Sequence, residues 1–429
     1  MNSLRTFLTL GLALVATWAV ATPPAPRPPG AVVALGGALK VDNTAVWSRL
    51  VQEAGGRGAT FAVFATAAEN PERSGERIAQ ALNAAGAKAE VIPVAPRLPT
   101  TEWKALRDDA ALAQRVSRMQ GVFFSGGAQE LITSTLRPDG RSTAVLQAVR
   151  QVLERGGVVA GTSAGAAIMS EWMFRDAQDT LAVLKGRMRE GQEIDRGLGF
   201  AGPDIFVDQH FLKRGRIGRI LPVMQAKGYR WGLGVEENSG AIIRGHQVEV
   251  IGARGVLVVD LSAAQRRTDL SAFNVQGALL SYLERGDRHD FATGVTTPAP
   301  EKLAGTINPR SPDFKPFFKR APFHPDMLGD STIANAMAQL VDSPDEELLG
   351  LAFNGRALAQ GSKAAADDLD PTLGFEFRLS KAADSRGYFT GAWGGEDYTV
   401  TRIRLDVTPV RLNTPLYQAL TPNRAADAR

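Results

Sequence analysis

The residues able to do chemistry are few, and the serine among them stands in an unusual setting. Gly161-Thr162-Ser163-Ala164-Gly165 follows the short apolar run Val158-Val159-Ala160 and leads into Ala166-Ala167-Ile168-Met169, a helix-forming segment. Strand, G-x-S-x-G and helix in that order form a nucleophile elbow. The tight corner exposes the hydroxyl at a helix N-terminus, where backbone N–H groups can receive a developing oxyanion. A side chain two residues to either side would collide with the turn, hence the glycines. The alternative is a glycine-rich turn whose serine only caps the helix. A serine nucleophile needs a base, and the chain offers four histidines. His246, His289 and His324 lie in turn-like, polar or proline-flanked surroundings and read as surface residues. His210 stands just past the apolar Ile205-Phe206-Val207, at the carboxyl end of a strand, and is the candidate base. The imidazole in turn needs an acceptor to hold its tautomer. Glu236 and Glu237 end another apolar run, point to opposite sides of an extended chain, and leave the choice between them open. Asp208 is a rival acid, but two residues from His210 it suits a substrate-binding or structural part. A second glycine corner, Ser125-Gly126-Gly127-Ala128-Gln129, can set the Gly127 N–H opposite that of Ala164 as a two-donor oxyanion hole. Arg214, Arg216 and Arg219 follow His210 closely enough to grip carboxylates, or else form a solvated basic helix start.

These residues must be held by a scaffold. Apolar runs at 31–35, 60–65, 91–94, 121–124, 158–160 and 205–207 alternate with helical segments at 46–54, 74–85, 105–119 and 143–155. Uniformly apolar strands alternating with helices imply an α/β fold with a parallel sheet flanked by helices. Ligands gather at the carboxyl ends of such strands, where every motif above falls. Glycine-separated strands at 232–237, 241–244, 248–252 and 256–260 read as an antiparallel extension closing the domain. The expected division is a signal peptide at 1–21, a proline-rich leader at 22–30, an α/β catalytic domain at 31–290, a linker at 291–330 and a C-terminal α+β module at 331–429. The linker is expected to pack through Phe314, Phe317 and Phe318. In the module, the period-two patterns around Phe375–Leu379 and Ile403–Val407 mark half-buried strands.

Composition narrows the function. A net charge of +4 spread over 429 residues does not argue for nucleic acid. Arg5, the apolar stretch at 7–16 and Ala19-Val20-Ala21 read as a secretory signal peptide, too short to span a membrane, so the protein is expected to be secreted, to the periplasm or beyond it, with no membrane attachment after cleavage. The chain has no cysteine and no metal-ligand spacing, so neither thiol chemistry nor a metal or other cofactor is expected.

Taken together, Gly36-Gly37, the 125–129 corner, the elbow, Asp208-Gln209-His210-Phe211 with the three arginines, and Gly234-Val235-Glu236-Glu237-Asn238 resemble the cyanophycinases, relatives of dipeptidase E in the glutamine-amidotransferase-like, flavodoxin-like group of α/β folds. The resemblance covers roughly residues 30–285. It implies a serine exopeptidase acting on cyanophycin, a polyaspartate carrying arginine on each β-carboxylate, and releasing β-Asp-Arg dipeptides. It makes Ser163 the nucleophile, His210 the base, Glu237 the orienting acid, and Gln129, Asp208, Gln209, Arg214, Arg216 and Arg219 the substrate-binding set. The exported leader resembles the extracellular branch. Alternatives are a dipeptidase-E-like enzyme acting on Asp-X peptides and a secreted binding protein that keeps the fold without catalysis. The oligomeric state stays open, a homodimer included, and the resemblance assigns nothing to the C-terminal module.

Overall fold

Strands with no wet face must be covered on both sides, and the first five strands show how this is done. β1 (Ala31–Leu35), β2 (Thr60–Phe64), β3 (Lys88–Val91), β4 (Gly121–Phe124) and β5 (Val158–Thr162) lie in the order β1-β5-β4-β2-β3, every pair parallel. The computed structural model describes residues 29–99, 102–358, 370–395, 397–413 and 415–416, so the expected signal peptide lies outside the described residues. Trp47 and Leu50 of the helix Thr44–Glu53 pack with Phe61 and Phe123 on one face. Val116, Val145, Val149 and Val152, from the helices Ala110–Ser117 and Ala144–Glu154, pack with Phe64 and Phe124 on the other. β3 is the edge, and its exposed Lys88 and Glu90 discourage further pairing.

The remaining strands divide between two sheets. β6 (Trp172–Phe174) and β7 (Ile194–Arg196) form a small antiparallel pair of their own. β8 (Ile205–Gln209) pairs in parallel with β9 (Trp231–Val235), and the two open a second sheet. β10 (Ser239–Arg244) returns antiparallel to β1 and carries β11 (Gln247–Gly252) outward. β12 (Val256–Asp260) and β13 (Val275–Leu283) continue the second sheet beside β9. β14 (Arg288–Asp290) and β15 (Val295–Thr297) finish the far edge of the first. β16 (Thr306–Ile307), β17 (Glu347–Ala352), β18 (Leu373–Thr390) and β19 (Asp397–Arg411) complete the second sheet.

The structure differs from the expected organisation in several places. The strand at 205–207 is not the sixth of the parallel sheet. It starts the second sheet, so the antiparallel extension is split, with β10 and β11 on one sheet and β9 and β12 on the other. The 331–429 stretch is not a module standing apart either, because β19 pairs along β13 and β18 along β19, one continuous sheet with the core. Phe375, Phe377 and Leu379 are fully buried there beside Leu280 and Ile403, each burial contributing about 2 kcal/mol. Within the expected linker, Phe314 and Phe318 are half-buried, whereas Phe317 is 75% exposed. The helix expected at 105–119 breaks in two where Asp109 caps the second piece, its carboxylate accepting from Leu112 N–H at 2.6 Å. His289 is no surface residue. On β14 it turns inward against Trp231 and Phe291, and burial pushes its imidazole down to about 4.

Candidate active site

The elbow is built as its glycines require. Ser163 has φ 52° and ψ −110°, a backbone region costly for any side-chain-bearing residue, and it ends β5 at the start of the short helix Ala164–Ala167. A Cβ on Gly161 would lie 2.3 Å from the Gly165 carbonyl oxygen, and one on Gly165 would lie 2.4 Å from that of Phe124. The ends of β1 and β4 flank β5, which brings Gly36-Gly37 to one side of Ser163 and Ser125-Gly126 to the other. The Ser163 N–H is fixed by the Leu35 carbonyl at 3.0 Å. Gly126 needs its lack of a side chain, since a Cβ there would come within 3.2 Å of the Ser163 Cβ. Among the described residues, no backbone carbonyl accepts from the Gly127 or Ala164 N–H.

The parallel pairing of β8 with β9 sets Gln209 beside Val235, so the residues that follow each strand meet. His210, also at positive φ (47°), donates its N–H to the Gly36 carbonyl at 2.7 Å. Its Nδ1–H donates to Glu237 Oε1 at 2.6 Å, which leaves Nε2 to accept from the Ser163 hydroxyl at 2.9 Å. Burial depresses the His210 pKa, and the Arg214 and Arg216 charges add to that, against the opposing hydrogen bond to Glu237. The imidazole is therefore neutral at pH 7, the state a general base needs. The two adjacent acids separate: Glu237 faces His210, whereas Glu236 is fully buried and accepts from the Leu212 and Lys213 N–H groups at 2.5 and 3.0 Å. Glu236 thereby pins the loop leaving His210. Serine, imidazole and carboxylate in this geometry can carry out nucleophilic acyl transfer.

A sequence profile, peptidase family S51, matches residues 33–251, which include Ser163, His210 and Glu237. The chain belongs to that family. It is a serine-type peptidase with an α/β fold. Among similar proteins is a cyanophycinase of Synechococcus elongatus, 29% identical over 234 residues, covering 54% of this chain and 68% of the relative. A cyanophycinase of Geminocystis herdmanii (strain PCC 6308) is 30% identical over 233 residues, covering 53% and 80%. A crystal structure of a peptidase from an acI-B1 actinobacterium is similar at 18% identity with a TM-score of 0.45, covering 62% of this chain and 98% of that one. β18 and β19 lie beyond the range that the family profile matches.

In this S51 peptidase a polar cleft of about 400 Å³ opens beside Ser163. Gly127, Gln129, Gln209, Arg214, Arg216 and Arg219 line it. Asp208 does not. It lies beneath the cleft, 1% exposed, its carboxylate accepting from Arg219 Nε at 2.7 Å and from an Arg219 terminal nitrogen at 2.5 Å. Arg219 also donates to the Ala177 carbonyl and stacks on Phe174, so it frames the cleft from inside. Arg216 donates to Asp208 at 3.3 Å and to the Gln209 carbonyl at 2.5 Å, and burial with two arginine neighbours lowers its pKa to about 9. Asp208 thus holds two guanidinium groups, and Arg214 lines the cleft beside them. Gln129 donates to the carbonyls of Phe174 and Arg175 at 2.7 and 2.8 Å, tying down the opposite wall. The Gln209 Oε1 is buried with no hydrogen-bond partner among the described residues. The sequence reasoning missed Glu130, Arg175, Asp176 and Gln178, which also line the cleft from a stretch without motif. It also missed the part of Gly37, where a Cβ would meet the imidazole at 2.3 Å.

Proposed function

We propose that this S51 peptidase is a secreted serine exopeptidase that degrades cyanophycin to β-Asp-Arg dipeptides through an acyl-enzyme. The observation that carries this reading is a serine–imidazole–carboxylate relay opening onto a cleft lined by both charges, Arg214 and Arg216 with Glu130 and Asp176. A substrate displaying carboxylates and guanidinium groups needs such mixed walls. The relatives named cyanophycinases support the same substrate, and the exported leader supports secretion.

In the proposed reaction, His210 Nε2 takes the Ser163 proton as Oγ bonds to the scissile carbonyl carbon, and the oxyanion receives the Gly127 and Ala164 N–H groups. As the intermediate collapses the C–N bond breaks, and His210 returns the proton to the leaving amine. Water then attacks the ester with His210 again as base, which frees the acyl fragment as its carboxylic acid and restores the hydroxyl. Glu237 orients the imidazole and stabilises its cation without taking the proton. Asp208 acts one layer back, holding Arg216 and Arg219 in place. The test is incubation of the purified protein with cyanophycin granules and identification of soluble products by mass. Release of β-Asp-Arg supports the reading. Hydrolysis of Asp-X dipeptides with the granules left intact would replace it with the dipeptidase-E-like one.

A further inference from the structure

A second cavity, of about 430 Å³, lies at the seam where the C-terminal extension meets the core, behind the His210 loop. Tyr282 and Glu284 at the end of β13 and Arg254 before β12 supply the core side, and Asp397, Tyr398 and Asn335 supply the extension side. Glu284 is 9% exposed. Its Oε1 accepts from the Tyr282 hydroxyl at 3.3 Å, whereas its Oε2 is buried with no nitrogen or hydroxyl donor among the described residues, and the hydrogen bond that Glu284 makes with the Asp397 carboxylate requires the two acids to share a proton. A buried carboxyl oxygen without a donor is costly unless something brings one. Burial, followed by the negative charge of Asp397, pushes Glu284 up to about 8, with Lys302 opposing only in part. Lys302 is itself committed to Asp287 and Thr399, each at 2.8 Å. The Arg254 side chain is exposed and forms no ion pair among the described residues. The cavity wall therefore carries two carboxyl groups and the exposed guanidinium of Arg254.

We infer that this seam cavity binds a small zwitterionic ligand with a cationic side chain, an arginine-type amino acid, its guanidinium on Glu284 and Asp397 and its carboxylate on Arg254. A planar guanidinium offers paired donors to two carboxyl groups, and the ligand's own carboxylate completes the Arg254 end bidentately. The ligand gives the buried Glu284 oxygen a donor and replaces the proton shared by the acid pair with a guanidinium. Asn335 borders the ligand from the extension helix Thr332–Val341, so the site exists only when the extension is docked. Leu212, two residues past His210, forms part of the cavity wall, and its carbonyl accepts from the Ser331 N–H at 3.1 Å. The site shares no lining residue with the cleft at Ser163.

The test uses the full chain carrying Ser163→Ala and calorimetric titration with free L-arginine, L-citrulline as the uncharged near-isostere, and agmatine, which lacks the carboxylate. Saturable L-arginine binding is expected, weakened at least about tenfold by Glu284→Gln and by Arg254→Ala, with citrulline at least about tenfold weaker than arginine. Arg254→Ala should leave agmatine binding unchanged. Should Glu284→Gln fail to fold, Arg254→Ala, at an exposed position, decides alone. Absence of saturable binding overturns the inference. So does arginine binding that Arg254→Ala leaves intact, which would assign the ligand to the cleft at Ser163. Neither result depends on which polymer the enzyme cleaves, since no turnover is read.

Discussion

Replacing Gly37 by alanine probes the seat of the imidazole without touching any polar group of the relay. Gly37 has φ +99°, and a Cβ there would stand 2.3 Å from both Cε1 and Nε2 of His210. Ordinary contact begins at 3.4 Å, so the ring or the β1 loop must retreat by about 1.1 Å. The Ser163–Nε2 hydrogen bond is 2.9 Å and does not survive such a shift along its axis. A misplacement of about 1 Å at a reacting group costs about 10²-fold in rate, close to 3 kcal/mol of barrier. The left-handed backbone adds a folding cost of about 1 kcal/mol, small against the stability of a chain this size. Gly37→Ala is therefore expected to lower kcat by about 100-fold while the protein stays folded. Initial rates of soluble product release, with thermal unfolding as the control, measure both. A folded variant within about threefold of the parent would refute the claim that the imidazole is fixed by contact with this loop.

The two glutamates are expected to part company. Glu237→Gln should lower kcat by about 10²–10⁴ with stability little changed, and Glu236→Gln should lower the unfolding midpoint, because it weakens the acceptor for the buried Leu212 N–H and the partly buried Lys213 N–H. The acid limb of the kcat/KM profile should fall below pH 6.5, since burial favours the neutral imidazole and protonation removes the base. Arg214→Ala removes a positive charge that lowers the His210 pKa, so it should move that limb to higher pH, and a shift the other way would contradict the assignment. Asp208→Ala strands two buried guanidinium groups whose side chains are 7% and 3% exposed, so denaturant unfolding should register a loss of about 3–5 kcal/mol.

The elbow was legible because its requirements are local. Steric exclusion at Gly161 and Gly165 acts over two residues, and the pattern alone implies it. His210 followed by elimination and by its place past an apolar run. The choice between Glu236 and Glu237 was not local. Strand alternation says that they diverge, but only the β8–β9 register says which one meets the imidazole. Sheet membership was hidden for a similar reason, since β8 is as apolar as β5 and nothing within it names its neighbour. The C-terminal strands carried a correct period-two signal, yet β13, the core strand that β19 pairs with, lies more than a hundred residues earlier in the chain. His289 misled through its polar neighbours Arg288 and Asp290. In a strand they flank it on the opposite face, and the same alternation turns the histidine into the core.

Labelling with a fluorophosphonate, followed by peptide mass analysis, tests most directly whether one activated hydroxyl runs the chemistry. The label is expected on Ser163, at a rate reduced at least about 100-fold in His210→Ala, with peptidase activity lost in step with labelling. An enzyme that stays active while Ser163 remains unlabelled, or a label that forms as fast without His210, would contradict the account.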